Sequence, residues 1–324
     1  MRRREFLALL GCAATWPLGA GAERASRPFI IGTLHPYSPP DPWLAGLRQG
    51  LRDLGYVEGK NITIEERWAE GSDERLDRLA KELIDGKTDI LVVMMGPALR
   101  AATRHTTTVP IVMAVSGDGR RAPGVASLAR PGGNVTGLTL MSPDLAGLRL
   151  SMLREAVPAA RRVAVLYNSS EGITQTEMLA TEVAARSLGV ALQPVEVHSA
   201  EALGGAFADA SAGGADALIT FAHAFAFFHR QRISELAARY RLPAMYGWRE
   251  YPDAGGLMAY GPNVASTLSR SATFIDRIIK GGNPGDMPIE QPTKFELVVN
   301  LKAAKALGLT VPESFLLRAD EVIE

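Results

Sequence analysis

The sequence predicts an α/β chain of two doubly wound parallel-sheet lobes joined by a three-crossing hinge. Three observations predict it. Short apolar runs such as Ile90-Leu91-Val92-Val93-Met94-Met95 show no polar alternation and are separated by amphipathic helices, the pattern of strands covered on both faces. This rhythm lapses between Ser116 and Ser142 and then resumes. The length of 324 residues exceeds the roughly 250 to 300 at which single cores stop growing.

Elements follow in order. Phe29-Ile30-Ile31-Gly32-Thr33-Leu34 is a strand ending in the proline-stiffened His35-Pro36-Tyr37-Ser38-Pro39-Pro40, where helix is forbidden. Asp41-Pro42 starts a helix carrying Leu44, Leu47, Leu51 and Leu54 on one face until Gly55, a cap-then-proline opening. Ile62-Thr63-Ile64-Glu65, a helix with Leu76, Leu79, Leu83 and Ile84, the run from Ile90, a helix after Gly96-Pro97, and the strand from Val109 to Val115 complete a first lobe. Ser142-Pro143 opens a helix bearing Leu145, Leu148, Met152 and Leu153. Strands at 163–167, 190–197 and 217–221 alternate with helices up to Ala244-Met245-Tyr246, a second lobe of similar plan. Between that strand and the one starting at Leu257 lies a polar, aromatic connection, Gly247-Trp248-Arg249-Glu250-Tyr251-Pro252-Asp253. Loops held by buried strands concentrate binding groups, although the same stretch also reads as a surface turn in which Arg249 pairs with Glu250. The tail from Pro262 is expected to return to the first lobe. The expected domains are residues 1–22, an export signal peptide; 28–141 plus 262–324, the N-terminal lobe; and 142–261, the C-terminal lobe. Hinge strands are expected near 135–141, Tyr260 and 297–300.

Hydrophobic content of 47% marks a globular chain, and 35 Lys+Arg balance 35 Asp+Glu, so no basic field exists to hold a phosphate backbone and nucleic acid is excluded as a partner. The opening Met1-Arg2-Arg3-Arg4, the apolar stretch after it and Ala20-Gly21-Ala22 form an export signal cleaved after Ala22. Arg3-Arg4-Glu5-Phe6-Leu7 fits the twin-arginine pattern, or an ordinary charged start. Leu9-Leu10-Gly11-Cys12 invites a lipid-anchored reading, but the apolar run before Cys12 is too short for a full signal core. A mature chain without cysteine, disulfides or a membrane-length apolar run is expected to be soluble in the periplasm.

Chemical motifs are few. Gly117-Asp118-Gly119-Arg120-Arg121-Ala122 matches a dinucleotide fingerprint, but Pro123-Gly124 follows at once and leaves no helix start for a pyrophosphate. A lysine phosphate loop and a serine-hydrolase elbow are both missing. His223 and His229 lack a third ligand nearby, so no metal and no cofactor are expected. The informative pattern is positional. In doubly wound sheets, ligands bind beyond the carboxyl ends of strands, and those positions hold Pro36, Tyr37, Gly96, Pro97, Ser116, Asp118, Asn168, Glu171, His223, Phe225, Trp248 and Arg249. Helix starts at Gly96-Pro97 and around 169–172 suit a carboxylate, Asp118 or Glu171 an ammonium, and Tyr37, Phe225 and Trp248 an apolar or aromatic body.

The chain resembles the ABC transporter substrate-binding proteins that include the tryptophan-type binding proteins, with a type I periplasmic binding fold. The resemblance spans essentially the whole sequence. It rests on Gly46-Leu47-Arg48-Gln49-Gly50-Leu51, Leu54-Gly55-Tyr56-Val57-Glu58-Gly59-Lys60-Asn61, Arg67-Trp68-Ala69-Glu70-Gly71, Arg130-Pro131-Gly132-Gly133-Asn134-Val135-Thr136-Gly137, Gly255-Gly256-Leu257-Met258-Ala259-Tyr260-Gly261-Pro262 and Gln291-Pro292-Thr293-Lys294-Phe295-Glu296-Leu297-Val298-Val299-Asn300. It implies two α/β lobes joined by three crossings that capture a small molecule between them and deliver it to a permease driven by an ATPase; a non-enzymatic monomer is expected. Asp118 matches a family cleft residue, Glu171 lies where relatives keep an acid near the ligand, and Arg249 matches the family's arginine before an acid, here Glu250, at the end of the fourth strand of the second lobe. The loop after Asp118 departs, with Gly119-Arg120-Arg121 where relatives run from the aspartate into Pro-Val, which alters the expected ligand. Two other readings stand beside it: a ligand-sensing regulator of the same fold, which would carry a helix-turn-helix where this chain has its leader, and an exported α/β enzyme acting on a small carboxylate.

Overall fold

The structure, a computed structural model, describes residues 27–39 and 42–324. The leader, its Ala22 junction, Cys12 and Asp41 lie outside the described residues.

The first sheet is built from β1 (Phe29–His35), β2 (Ile62–Trp68), β3 (Ile90–Met94), β4 (Ile111–Ser116) and β5 (Val135–Thr139), in the order β2-β1-β3-β4-β5 and parallel throughout. β3 and β4 are buried at every position, as their unbroken apolar runs require. Helices α1 (Leu44–Asp53), α2 (Asp73–Asp85) and α3 (Met95–His105) cover it. Ser72 caps α2 through its Oγ on the Arg75 N–H at 3.2 Å, with Asp73 and Glu74 in the first turn, both favourable at a helix start.

The second lobe carries α4 (Ser142–Ala156), β6 (Arg162–Tyr167), α5 (Ile173–Leu188), β7 (Ala191–Glu196), α6 (Leu203–Ala212), β8 (Ala217–Thr220), α7 (Ala224–Phe228), α8 (Arg230–Arg239), β9 (Ala244–Tyr246), α9 (Glu250–Asp253) and β10 (Met258–Pro262). The polar connection before β10 thus contains one helical turn, α9. Helix α10 (Val264–Ile279) then packs back on α1, β4 and β5. Gly46 and Gly50 allow the close α1–α10 approach, since a methyl at either would strike the Ala265 or Ser269 carbonyl.

One expectation is corrected here. Residues 262–324 do not all belong to the first lobe: β11 (Phe295–Asn300) pairs antiparallel with β10, and β12 (Glu321–Ile323) pairs with β11. The second sheet therefore has seven strands, in the order β12-β11-β10-β9-β8-β6-β7. Only 264–290 return to the first lobe, where Glu290 exchanges backbone bonds with Gly137 and Thr139 of β5 at 2.9 and 3.0 Å. The chain crosses between lobes at 140–141, at 262–263 and at 291–294. The third crossing precedes β11 rather than running along 297–300.

Candidate ligand-binding site

The carboxyl ends of both sheets face one another across a cleft, and the loops there meet in two chambers. The inner chamber, a cavity of about 260 Å³, takes Gly96 and Arg100 from α3, Ser116 and Asp118 from the end of β4, Leu140 from the first crossing, and Glu171, His223 and Trp248 from the second lobe. The outer chamber, of about 420 Å³, takes Pro36, Tyr37, Pro97, Asn168 and Phe225. Arg100, Glu171 and Ala224 line both. Eleven of the twelve sequence-proposed positions thus border the cleft, and Arg249 does not.

On the first-lobe wall, β3 turns into α3 through Met95 at φ 64°, a left-handed conformation that is costly for a residue with a side chain. The sharp turn aims the helix start at the cavity, where the first N–H groups of a helix lack internal partners. The Arg100 guanidinium lies over Gly96, 3.3 Å from where a Cβ would stand, and forms no ion pair among the described residues. At the end of β4, Asp118 is 8% exposed and accepts through Oδ1 from the Arg120 backbone N–H at 3.1 Å and Nε at 2.9 Å. Arg120 also bonds Asp144 at 2.8 Å. The departing loop therefore brings its own cation to Asp118, while Oδ2 makes no hydrogen bond among the described residues.

On the second-lobe wall, Glu171 is saturated by its own lobe. Its Oε2 accepts from Ala224 N–H at 3.1 Å and its Oε1 from Phe225 N–H at 3.0 Å, with His223 Nδ1 at 3.2 Å. Burial pushes this carboxyl up, but His223 and the two amides outweigh it and hold it below the usual range. Glu171 is a clamp between two loops, and an ammonium would have to displace those donors. Asn168 accepts from Ser170 N–H at 3.0 Å, an Asx turn shaping the same loop. Phe225 meets His229 edge-on at 4.6 Å.

Rings close the two lobes on each other. Trp43 packs on Phe227 at 4.1 Å and on Trp248 at 5.9 Å, and Tyr37 on Phe227 at 5.4 Å. Trp43 Nε1 also donates to Glu250, whose buried carboxyl is pushed up by desolvation. Trp43 was not among the sequence candidates. Its signal is faint, an aromatic just past the proline-rich loop and away from a strand end.

Arg249 is corrected by the structure. It bonds Glu321 at 2.7 Å and Glu296 at 3.4 Å, with Asp253 at 3.7 Å, because β11 and β12 bring those acids to the sheet edge beside α9. Its partners also differ from the Glu250 of the surface-turn reading. The cations lining the inner chamber without an ion pair among the described residues are Arg100 and Arg121, the latter donating to Thr176 Oγ1 at 3.2 Å.

Behind the second wall lies a pair the sequence reading missed. Arg149 on α4 and Glu177 on α5 are 2% and 0% exposed, 3.6 Å apart. Arg149 Nε donates to the Tyr260 carbonyl at 2.8 Å, and its guanidinium packs on Gly247, where a Cβ would lie 3.3 Å from Cζ. Burial pushes Glu177 up to about 7, against the opposing pull of Arg149 and His223. Neither Glu177 oxygen accepts a hydrogen bond among the described residues. Through Tyr260 and Gly247, Arg149 packs against the strand ends beside Trp248. Among the described residues no group of three metal-ligating side chains occurs, and no helix is long and apolar enough to cross a membrane.

A closed two-lobed α/β protein with a small, polar-lined cleft at the strand ends defines a solute-binding architecture. The chain belongs to the ABC transporter substrate-binding protein family, whose model matches residues 40–323. It is 25% identical to the ABC domain solved in complex with L-Trp from Streptococcus pneumonia, with a TM-score of 0.86 over 92% of this chain and 100% of that one. A tyrosine-binding protein of Clostridioides difficile (strain R20291) is 23% identical over 265 residues, 82% of this chain and 76% of the relative. The ligand-free, open structure of a substrate-binding protein with adhesive properties from Clostridium difficile shares the fold, with a TM-score of 0.66 at 22% identity, over 91% and 99% of the chains. The fold is that of type I periplasmic binding proteins; of the relatives named, one is solved with L-Trp and one is a tyrosine-binding protein.

Proposed function

We propose that this protein is exported and, without catalysing a reaction, captures one free amino acid with an apolar or aromatic side chain in the inner chamber for delivery to an ABC permease. The observation that carries this reading is the first-lobe wall, which sets an anion site beside a cation site. The start of α3 and Arg100 receive the α-carboxylate, and Asp118 Oδ2 with Ser116 receives the ammonium. Leu140, Val115, Ile173 and Trp248 surround the side chain. At about 260 Å³ the chamber lies just under the ~300 to 1,000 Å³ usual for ligand pockets, which favours a single residue over a peptide. The tyrosine- and tryptophan-bearing relatives support the same class. Export rests on the leader.

Mass spectrometry of the small molecule released on denaturing freshly purified protein tests the reading. An unmodified amino acid is the expected result, and a sugar, a nucleotide or a chemically altered product overturns it. N-terminal sequencing of the fractionated protein is expected to find a chain beginning after Ala22. Small-angle scattering is expected to show a smaller radius of gyration with ligand than without.

A further inference from the structure

We infer that Arg121 is a second grip on the ligand's α-carboxylate, and the one through which that group is tied to the opposite lobe. This deepens the amino-acid reading above, on which it rests, by adding a residue to the carboxylate site at the start of α3 and Arg100. The observation is one of charge. The ionisable side chains lining the inner chamber are Arg100, Asp118, Arg121, Glu171 and His223. Both acids have donors of their own, Asp118 from Arg120 Nε at 2.9 Å, and Glu171 from the Ala224 and Phe225 N–H groups at 3.1 and 3.0 Å. Neither arginine has an ion pair among the described residues. A carboxylate, with two oxygens and about four acceptor sites, can take bonds from both.

Arg121 is held from both ends. Its backbone belongs to the turn after β4, which is seated in the first lobe by the Gly119 N–H on Thr139 Oγ1 at 2.9 Å and by the Arg121 N–H on the Asp118 carbonyl at 3.3 Å. Its Nη1 donates to Thr176 Oγ1 on α5, in the second lobe, at 3.2 Å. Arg120, beside it, turns to Asp118 and Asp144 instead, so the two arginines of the turn have separate partners. A guanidinium carries five N–H donors in a rigid fork. Thr176 takes one of them and fixes the fork at the chamber, so much of the rotamer freedom that a long side chain loses on binding is lost before the ligand arrives. A carboxylate bonded to Arg100 and Arg121 is then bonded to a side chain that itself reaches α5. The charge of the ligand thereby helps to hold the lobes together.

The test is a cycle of changes in protein and ligand, read by calorimetry. Protein stripped of ligand by unfolding and refolding is titrated with L-leucine, L-phenylalanine, L-tyrosine and L-tryptophan at about pH 6, where an amino acid and its amide both keep the ammonium. The tightest binder is then compared with its own primary amide in the unmodified protein and in Arg121→Ala. The variant is expected to lose at least about fivefold in affinity for the acid, a charged hydrogen bond discounted for the exposure of this arginine. For the amide it is expected to lose less than about twofold. Thr176→Val, which removes the tie and keeps the cation, is expected to cost the acid about twofold or less. Equal losses for acid and amide would make Arg121 a tie between lobes alone and overturn the inference, as would an unchanged affinity for the acid. Should the amide bind too weakly to titrate, the two variants decide, and a loss in Thr176→Val as large as in Arg121→Ala overturns the inference. Each of these results leaves the amino-acid reading standing, whereas binding of none of the four amino acids overturns both.

Discussion

The two walls of the inner chamber are built by different means. The first-lobe wall uses backbone and termini: the start of α3, a strained turn at Met95, and the Asp118 carboxylate with the Arg100 and Arg121 side chains. The second-lobe wall presents side chains whose far ends are engaged in buried charge, His223 against Glu171, and the Trp248 loop against Arg149 and Glu177. The contrast teaches where change is cheap. A group projecting from a backbone frame is replaced at the expense of binding alone, whereas a change behind the second wall also disturbs folding.

The largest test of that contrast strikes the buried pair. Arg149→Met is expected to cost on the order of 3 to 5 kcal/mol in urea unfolding at pH 8, because it strands Glu177 without its counter-charge. The loss is expected to shrink at pH 6. Glu177 stands at about 7 with Arg149 pulling it down, and higher without it. An acid whose folded pKa is raised binds a proton more readily folded than unfolded, so lowering the pH from 8 to 6 favours the folded variant more than the unmodified protein. Replacing both residues by Met and Leu is expected to recover most of the loss. A single-variant cost below about 1 kcal/mol would deny the pair its supporting role.

On the first wall, Arg100→Ala is expected to weaken amino-acid binding by on the order of 2 to 5 kcal/mol while the melting temperature of the unliganded protein hardly moves. An equal drop in stability would erase the distinction between the walls. A smaller effect is expected at Glu171, where Glu171→Gln should lose about 1 to 2 kcal/mol of stability at pH 7. Its folded pKa is depressed, so its contribution is present above the unfolded value of 4.5 and is lost as pH falls through the folded one. The gap from the unmodified protein is therefore expected to close in acid. Smallest of all is Arg249→Ala, expected to leave affinity unchanged and to cost no more than about 1 kcal/mol, as partly exposed ion pairs do. A tenfold loss of affinity would return Arg249 to the site.

The fold was legible because unbroken apolar runs and helical stripes survive in the sequence as periodicity, and the strand-end rule located both chambers. What it could not show was partnership. Arg249 stands at a strand end like the others, but β11 and β12 bring Glu296 and Glu321 to it, and which sheet edge a late strand joins is not written in its own residues. Arg149 was visible in principle, since it falls four residues from both Leu145 and Leu153 on the buried stripe of α4, with Leu148 instead 42% exposed. A charge on a core stripe is a signal only when the stripe is drawn through it. Glu177, midway between Ile173 and Thr181, carries the same mark on α5.

The ring cluster joining Tyr37 and Trp43 to Phe227 and Trp248 has a kinetic side. Any opening that parts the lobes must separate those rings, so amino acids of different affinity whose release needs that opening are expected to share a similar slow step on the way out. Separation also carries two indoles from a dry setting into water. Their emission should shift to the red as it happens, which makes the native tryptophans a clock for opening that needs no attached dye.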